Sequence, residues 1–216
     1  ARAQNALLKE GVSQNKIVVT GNTVIDAILY TLDKIARNPP DLGSIDSILG
    51  SSKRVVLITG HRRENFGDGF LNICTAIKKS AEAFPNVNFI YPVHLNPNVQ
   101  KPVYEILSNT PNIHLIEPLG YVPFVKLMNS AFVILTDSGG IQEETTYLQI
   151  PCITMRENTE RPITVTVGTN LMTGNDRAEI LKAVSDILAG QPKKGAIPEL
   201  WDGHTAERIV AILKKG

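Results

Sequence analysis

The stretch FVILTDSGGIQEE, residues 132–144, decides the fold, because an apolar run leads directly into a glycine-rich turn and then a helical pattern. The first five residues are typical of a buried strand, and Ser138-Gly139-Gly140 mark the turn that follows it. Small residues let main-chain N–H groups approach an anion, while the start of a helix supplies unpaired donors and positive partial charge. The stretch therefore predicts a phosphate site at a strand end, with Glu144 one turn further along placed for sugar hydroxyls. For two glycines alone, a simple tight turn is the alternative.

Two further polar segments also follow apolar runs. Residues 59–67, TGHRRENFG, place His61 beside two arginines, an acid and an amide, and residues 158–162, NTERP, set an arginine beside a proline. Ligands of open α/β sheets bind outside the carboxyl ends of the strands, so three polar loops at strand ends predict one crevice. Glu64 is expected to pair with one of the two arginines before it or to be a turn residue.

Apolar runs and stretches of helical period alternate along the chain. The runs lie at residues 17–19, 55–58, 87–93, 113–116, 132–135 and 152–155. Such alternation is typical of an α/β protein, with a parallel sheet flanked by helices. One-sided apolar faces predict crossover helices at residues 70–84 and 180–188. Asp176 and Thr205 are placed to cap the last two helices.

The composition is that of a globular chain with enough apolar residues for a core. Of the 216 residues 43% are hydrophobic, and 22 basic against 21 acidic residues give a formal charge of +1. This balance provides no broad basic field for nucleic acid or a membrane surface, and no apolar run approaches the length of a membrane span. Cys74 and Cys152 lie in apolar segments without the spacing of a zinc site, which predicts buried reduced thiols in a cytosolic protein.

Together the polar segments resemble one family, the non-hydrolysing UDP-N-acetylglucosamine 2-epimerases. The resemblance is carried by HRREN at 61–65, SGGIQEE at 138–144 and TERP at 159–162, with PVHLNP at 92–97 and TGNTVID at 20–26. It extends from about Gly11 to the C-terminus, and the three main motifs in this order are specific to the family.

The resemblance implies a GT-B-type arrangement of two facing Rossmann-like domains. Residues 38–216 are expected to form the C-terminal, UDP-binding Rossmann-like domain, and residues 1–37 the tail of an N-terminal domain with the hinge region. The break in pattern at 38–44, NPPDLGS, is the predicted linker. Since the chain begins ARAQNALL without an initiating methionine, we expect it to be a fragment of a longer protein.

The resemblance further implies an enzyme that interconverts UDP-N-acetylglucosamine and UDP-N-acetylmannosamine. The family's route eliminates UDP across C1–C2 and adds it back with inversion at C2, without a metal or a cofactor. The fragment alone is expected to be inactive, because the acid and base carboxylates come from the other domain. UDP and a UDP-N-acetylhexosamine are the expected ligands, and the full-length protein is expected to be a cytoplasmic homodimer.

Other functions are compatible with the same residues. A GT-B glycosyltransferase donor domain shares the fold, but many retaining members carry a second glutamate eight positions after the first, where this chain has Pro151 and Cys152. A hydrolysing epimerase, an epimerase of a modified UDP-sugar and a non-catalytic nucleotide-sugar sensor are the further alternatives.

By resemblance, five positions hold the ribose and the phosphates of UDP. Ser138, Gly139 and Gly140 match the diphosphate turn, Glu144 the ribose-binding carboxylate, and Arg161 an arginine that approaches the nucleotide. A guanidinium fork pairs with two phosphate oxygens at once. Glu143 is expected to be solvated or to interact with the helix dipole, and the alternative for Arg161 is a salt bridge to Glu157 or Glu160.

The remaining matches concern the base, the reaction and regulation. Leu119 matches the position whose main chain contacts uracil, and Phe124 the side chain that packs on it. His61 matches a catalytic histidine near the leaving diphosphate, which either donates to the leaving oxygen or carries positive charge as the C1–O bond breaks. Arg62 and His94 match a second, regulatory UDP-sugar site, with a buried histidine as the alternative at position 94.

Overall fold

The computed structural model describes residues 2–215, so the outermost positions of the two predicted segments, Ala1 and Gly216, lie outside the described residues. The strands in this range are β1 Arg54–Thr59, β2 Val87–Pro92, β3 Ile113–Ile116, β4 Val133–Thr136, β5 Cys152–Thr154 and β6 Asn170–Met172. The α-helices are α1 Arg2–Lys9, α2 Thr23–Arg37, α3 Ser44–Leu49, α4 Asp68–Ala83, α5 Pro97–Leu107, α6 Tyr121–Asn129, α7 Gly139–Leu148, α8 Pro162–Thr166, α9 Arg177–Leu188 and α10 Thr205–Leu213. Short 3₁₀ helices occur at Gln14–Lys16 and Arg63–Asn65.

The six strands form one sheet in the order β3-β2-β1-β4-β5-β6, with parallel pairing throughout. β1 lies near the centre, where Val56 is level with Phe89 of β2 and Val133 of β4. The chain moves outward from β1 through β2 and β3 and then returns to continue from β4 to β6 on the other side. The predicted α/β class and Rossmann-like parallel sheet are therefore confirmed, and the switch point lies between β1 and β4.

Helices cover both faces of the sheet. α4, α5 and α9 pack on one face through residues such as Ile73, Val103 and Ile180. α2, α3 and α6 pack on the other face, where Ile28 and Val125 are fully buried. Because both faces are covered, β1 is a continuous apolar run and does not alternate between apolar and polar residues.

Helix α2 shares this core, although it belongs to the segment predicted to be tail and hinge. Ile28 of α2 lies in the same buried cluster as Leu57 of β1. The predicted linker after α2 is tied to α6, because the Lys126 ammonium donates to the Pro40 carbonyl at 2.7 Å and to Asp46 Oδ1 at 2.6 Å. The division at residue 38 stays a prediction.

The apolar run at residues 17–19 is not a strand, contrary to the sequence expectation. Val18 and Val19 are 59% and 47% exposed, in an irregular segment that leads into α2. None of the strand pairs within residues 2–215 includes these residues, so no neighbouring strand covers them. A short apolar run by itself does not separate a strand from a surface segment.

The two predicted crossover helices are confirmed as α4 and α9. Leu71 of α4, expected on the buried face, is exposed. Asp176 caps α9 as predicted, since its carboxylate accepts from the N–H groups of Ala178 and Glu179 at 2.8 and 2.9 Å. Between residues 2 and 215, none of the helices is long and apolar enough to cross a membrane.

The expected cap of the last helix at Thr205 is wrong. Helix α10 begins at Thr205 itself, with His204 in the capping position and without a capping bond from that side chain. Its first turn is capped from a distant part of the chain, because the Ala206 N–H donates to Asp26 Oδ1 of α2 at 2.7 Å. A carboxylate supplied by tertiary contact thus replaces the local hydroxyl.

Both cysteines are buried free thiols, as predicted, with Cys74 on α4 and Cys152 at the start of β5. Burial raises the pKa of Cys74 to about 12 and the pKa of Cys152 to about 11. Both groups are therefore neutral and unreactive thiols near neutral pH.

Candidate functional site

The loops that follow β1, β2 and β4 meet at the carboxyl edge of the sheet. They border a cleft of about 250 Å³, and its lining includes half of the predicted site residues: His61, His94, Leu119, Phe124 and Ser138. Arg161 lines a separate cleft of about 720 Å³. The two clefts adjoin at the start of α7, where a Cβ on Gly139 would lie 3.8 Å from Arg161 Cγ. The polar loops therefore border more than one cleft, where the sequence predicted a single crevice.

The turn between β4 and α7 lies at the smaller cleft, which Ser138 and Ile141 line. Ser138 occupies the N-cap position, and its N–H donates to Thr136 Oγ1 at 3.0 Å, which fixes the turn. The Ser138 side chain makes no capping hydrogen bond. The N–H groups of Gly139, Gly140 and Ile141 belong to the first helical turn, which has no intrahelical carbonyl to bond. Three N–H donors and a hydroxyl thus lie at a helix end whose partial positive charge favours an anion.

The backbone does not require glycine at either position of this turn. Gly139 and Gly140 are not among the residues with a left-handed backbone. A Cβ placed on them would meet its nearest atoms at 3.7 and 3.9 Å, which are ordinary contact distances. A tight turn alone would accept alanine here. The close approach of another group is therefore the better reason for two small residues.

A buried carboxylate, Asp137, connects this turn to the loop that carries His61. Asp137 is 0% exposed, and its Oδ2 accepts from the main-chain N–H groups of His61 and Arg62, both at 2.8 Å. Its Oδ1 lies 3.8 Å from His61 Nδ1. Sequence reasoning missed Asp137, although an acid between a strand and a glycine-rich turn was a signal for such a group.

The His61 loop is also held from the opposite side. The Tyr91 hydroxyl, fully buried on β2, donates to the Gly60 carbonyl at 2.9 Å. Burial raises the pKa of Tyr91 well above its usual value, so the phenol stays protonated and able to donate. The imidazole of His61 is partly exposed and stacks on that of His94, with ring centroids 5.1 Å apart and planes inclined by 12°.

The expectation that Glu143 is solvated is wrong. Its side chain is buried, and Oε1 accepts from Asn22 Nδ2 at 3.0 Å and lies 3.0 Å from Arg161 Nε. Burial raises the pKa of Glu143 above its usual value, and the nearby charge of Arg161 only partly offsets this shift. Arg161 is thus in a salt bridge, but its partner is neither Glu157 nor Glu160. The contact uses Nε of the guanidinium, and Arg161 lines the larger cleft.

Two acids of this region, Glu64 and Glu160, form ion pairs with Arg156, a residue that sequence reasoning also missed. The Arg156 guanidinium is only 3% exposed, pairs with Glu64, and lies 3.0 Å from Glu160. Hydrogen bonding to Arg156 lowers the pKa of Glu160 to about 2. The expectation that Glu64 pairs with an adjacent arginine is therefore wrong. These two ion pairs hold the loop that leads to Arg161.

Glu144 lies on the other side of α7 from Glu143. It is buried, and its Oε1 accepts from the Tyr121 hydroxyl at the start of α6 at 2.9 Å. Burial raises the pKa of Glu144 above its usual value, and the hydrogen bond from Tyr121 only partly offsets this shift. The fold therefore places this carboxylate beside α6, the helix that contributes Phe124 to the smaller cleft. Tyr121 was not identified from the sequence.

A third cleft, of about 430 Å³, lies beside the first. Its lining includes Arg62 and His94, together with His61, Arg63, Glu64 and Asn96. His94 is exposed, so the alternative of a buried histidine at this position is wrong. The two residues predicted for a second ligand site are thus neighbours on an open, basic surface.

These features define a Rossmann-like α/β domain with an anion-binding turn at the carboxyl edge of its sheet. A family model described as UDP-N-acetylglucosamine 2-epimerase matches residues 1–214. The chain belongs to this family.

Named relatives agree with this assignment. A UDP-N-acetylglucosamine 2-epimerase from Yersinia pestis is 45% identical over 215 residues, which are 96% of this chain and 57% of the relative. The epimerase from Neisseria meningitidis, solved with UDP-GlcNAc, is 38% identical with a TM-score of 0.87 over 99% of this chain and 59% of that one. The epimerase from Methanocaldococcus jannaschii, solved with UDP-GlcNAc and UDP, is 38% identical with a TM-score of 0.81 over the same shares of the two chains. The chain thus spans a little under three fifths of the length of these relatives.

Proposed function

We propose that this chain is the UDP-binding part of an enzyme that interconverts UDP-N-acetylglucosamine and UDP-N-acetylmannosamine. The observation that carries the proposal is the anion-binding start of α7 in one cleft wall with His61, in a chain of the epimerase family. Two solved relatives hold UDP-GlcNAc, which supports a nucleotide sugar as the ligand. Family membership also favours an epimerase over a glycosyltransferase donor domain.

The diphosphate is proposed to bind at the start of α7. The N–H groups of Gly139 and Gly140 and the Ser138 hydroxyl supply directed donors, and the helix adds partial positive charge. Arg161 stands next to this turn, with its Nε held by Glu143. The free end of its guanidinium then suits two phosphate oxygens.

The nucleoside is proposed to occupy the smaller cleft. Leu119 and Phe124 line it and supply an apolar wall for a flat base, with the main chain of Leu119 contacting uracil. Glu144, held by Tyr121, is proposed to accept from the ribose hydroxyls. A buried carboxylate that is oriented by a phenol is a strong acceptor for a sugar hydroxyl.

The reaction is proposed to be elimination of UDP followed by its re-addition. A base removes the C2 proton, the C–H electron pair forms the C1=C2 bond, and the diphosphate leaves with the C1–O electron pair. His61, beside the phosphate turn, stabilises or protonates the leaving oxygen. Relatives extend well beyond the length of this chain, and we place the acid and base carboxylates in that additional part.

Two further proposals concern regulation and assembly. Arg62 and His94, adjacent in the third cleft, are proposed to contribute to a regulatory UDP-sugar site. For the full-length protein we propose a homodimer in the cytoplasm. The buried free thiols support a reducing compartment.

The experiment is a calorimetric titration of the chain with UDP and with uridine. In Gly140→Ala the fold accommodates the new methyl group, but Cβ atoms of a helix tilt toward its N-terminus and would obstruct the phosphates. Arg161→Lys keeps the charge and loses the fork. Each variant should weaken UDP by roughly 1–2 kcal/mol, about tenfold, and leave uridine unchanged.

Thermal melts provide the control for folding, since alanine is better than glycine inside a helix and should not lower the Tm of Gly140→Ala. Arg177→Lys, an exposed arginine on α9, is the matched control for Arg161→Lys and should bind UDP like the wild type. If Gly140→Ala binds UDP with unchanged affinity, the diphosphate does not lie at the start of α7.

A further inference from the structure

Asp137 has a second carboxylate oxygen that the fold leaves without a hydrogen bond. Oδ2 is satisfied by two main-chain donors, whereas Oδ1 is buried and has no hydrogen-bond partner among residues 2–215. A buried acceptor without a donor destabilises the fold, and more strongly when it is charged. Within the described chain, the basic group at ion-pair distance from Asp137 is His61, whose Nδ1 lies 3.8 Å from Oδ1.

The position of the His61 ring is restricted by three contacts. Its main-chain N–H is bonded to Asp137, the Gly60 carbonyl is held by Tyr91, and the ring stacks on His94. The first two contacts fix the Cα relative to Asp137, and the stack fixes the plane of the ring. A small rotation of the partly exposed side chain would shorten the 3.8 Å between Nδ1 and Oδ1 to hydrogen-bond distance.

We propose that Asp137 is a positioning residue that accepts a hydrogen bond from His61 Nδ1–H and thereby directs Nε2 into the cleft. The hydrogen bond of one ring nitrogen sets the protonation of the other. A carboxylate on Nδ1 fixes the tautomer and stabilises the ring when it is positively charged. The catalytic consequence rests on the proposed role of His61 at the leaving diphosphate, but the orientation of the ring does not.

The position of Asp137 in the sequence connects two parts of the candidate site. Asp137 directly precedes Ser138, so one residue ties the phosphate turn to the histidine loop through the bonds to His61 and Arg62. The distance between phosphate donors and imidazole is then set by a single rigid contact at the carboxyl edge of the sheet. An imidazole that must meet a leaving oxygen benefits from such preorganisation.

The test is ¹⁵N NMR of the histidine side chains at about pH 9, where an ordinary imidazole is neutral. His61→Gln assigns the His61 resonances by their loss. In the wild type His61 should carry its proton on Nδ1, whereas His94, whose Nδ1 accepts from the Asn96 N–H at 3.1 Å, should carry it on Nε2. If neutral His61 carries its proton on Nε2 as His94 does, the proposal is overturned, and this measurement needs no variant of Asp137.

Asp137→Asn gives the sharper result. The two main-chain donors keep the amide oxygen in the place of Oδ2, so the amide NH₂ must face Nδ1 and donate to it. His61 should then switch from Nδ1–H to Nε2–H. Asp176→Asn, which removes one carboxylate far along the chain, should leave the His61 resonances unchanged. An unchanged tautomer in folded Asp137→Asn would also exclude the contact.

These outcomes are independent of the proposed function. A chain that fails to bind UDP but shows the Nδ1–H form and the switch would refute UDP binding and keep the role of Asp137. A chain that binds UDP with His61 in the Nε2–H form would support UDP binding and refute the role of Asp137. A structural role for Asp137 alone would lower stability without moving the proton between the ring nitrogens.

Discussion

At the scale of single residues, Glu143 and Glu144 show how helix geometry gives adjacent acids different partners. Neighbouring positions of a helix point about 100° apart. Glu143 therefore reaches Arg161 and Asn22, whereas Glu144 reaches the Tyr121 hydroxyl. Burial raises the pKa of both carboxyls. Two residues of the same chemistry thus have different partners, Glu143 a cation and Glu144 a phenol, and the proposed ribose contact falls to Glu144.

Replacing these two acids separately tests the assignment. Glu144→Gln should weaken UDP about tenfold, because a hydrogen bond to a charged acceptor is worth about 1.5–3 kcal/mol, and should affect 2′-deoxy-UDP less. Glu143→Gln keeps an oxygen for Arg161 and should weaken both nucleotides equally and slightly. Calorimetric titration of both variants with UDP and with 2′-deoxy-UDP measures these affinities. Loss of the preference for UDP over 2′-deoxy-UDP in Glu143→Gln, with the preference retained in Glu144→Gln, would give the ribose to Glu143.

At the scale of elements, the N–H groups in the first turn of each helix need hydrogen-bond acceptors. α9 packs on α4 and buries Ile180 and Val184 against the sheet. Its first N–H groups are bonded by the exposed carboxylate of Asp176. Since Asp176 lines none of the three clefts described above, its cap should contribute to stability without supplying a group to the candidate site.

Asp176→Ala should lower the free energy of unfolding by about 0.5–2 kcal/mol, the usual loss for an N-cap. Urea denaturation measures this change as a lower midpoint with an unchanged slope. Asp186→Ala is the matched control on the same helix. Asp186 forms a surface pair with Lys182 at 2.7 Å, and its loss should cost about 0.5 kcal/mol or less. Equal losses in the two variants would show that the cap contributes no more than a surface ion pair.

At the scale of the whole molecule, two acids near His61 are held by other groups. Glu64 is held by Arg156, and Asp137 is fully buried under two main-chain donors. Asp68 begins α4, where a negative charge stabilises the helix start. Within residues 2–215 these contacts hold the carboxylates of Glu64 and Asp137, so neither is free to remove a proton from a sugar.

We therefore expect the 216-residue chain to bind UDP but not to exchange the C2 proton of UDP-N-acetylglucosamine. A group that removes this proton would have to come from the part that the longer relatives possess in addition. The measurement is NMR of the sugar after incubation in heavy water, with a full-length relative as the positive control. Exchange above the rate without protein would place the base within this sequence.

The sequence by itself determined the class of fold and the location of the polar loops. Burial on both faces makes parallel strands continuous apolar runs, and helices between them repeat with their own period, so both signals are local. The run at 17–19 was misread, because three apolar residues do not reveal whether a sheet neighbour exists. The glycine-rich turn was recognisable for the same local reason: β4, Ser138 and the start of α7 are contiguous.

Only the tertiary structure decided which side chains meet. Glu64 pairs with Arg156 across 92 positions, and Asn22 bonds Glu143 across 121. Asp137 reaches a main-chain N–H 76 positions away. Ion pairs and hydrogen bonds depend on distances of a few ångströms, which are set by how the strands lie side by side and not by spacing along the chain. The sequence thus placed the candidate site at one edge of the sheet, and the packing of that edge fixed its internal contacts.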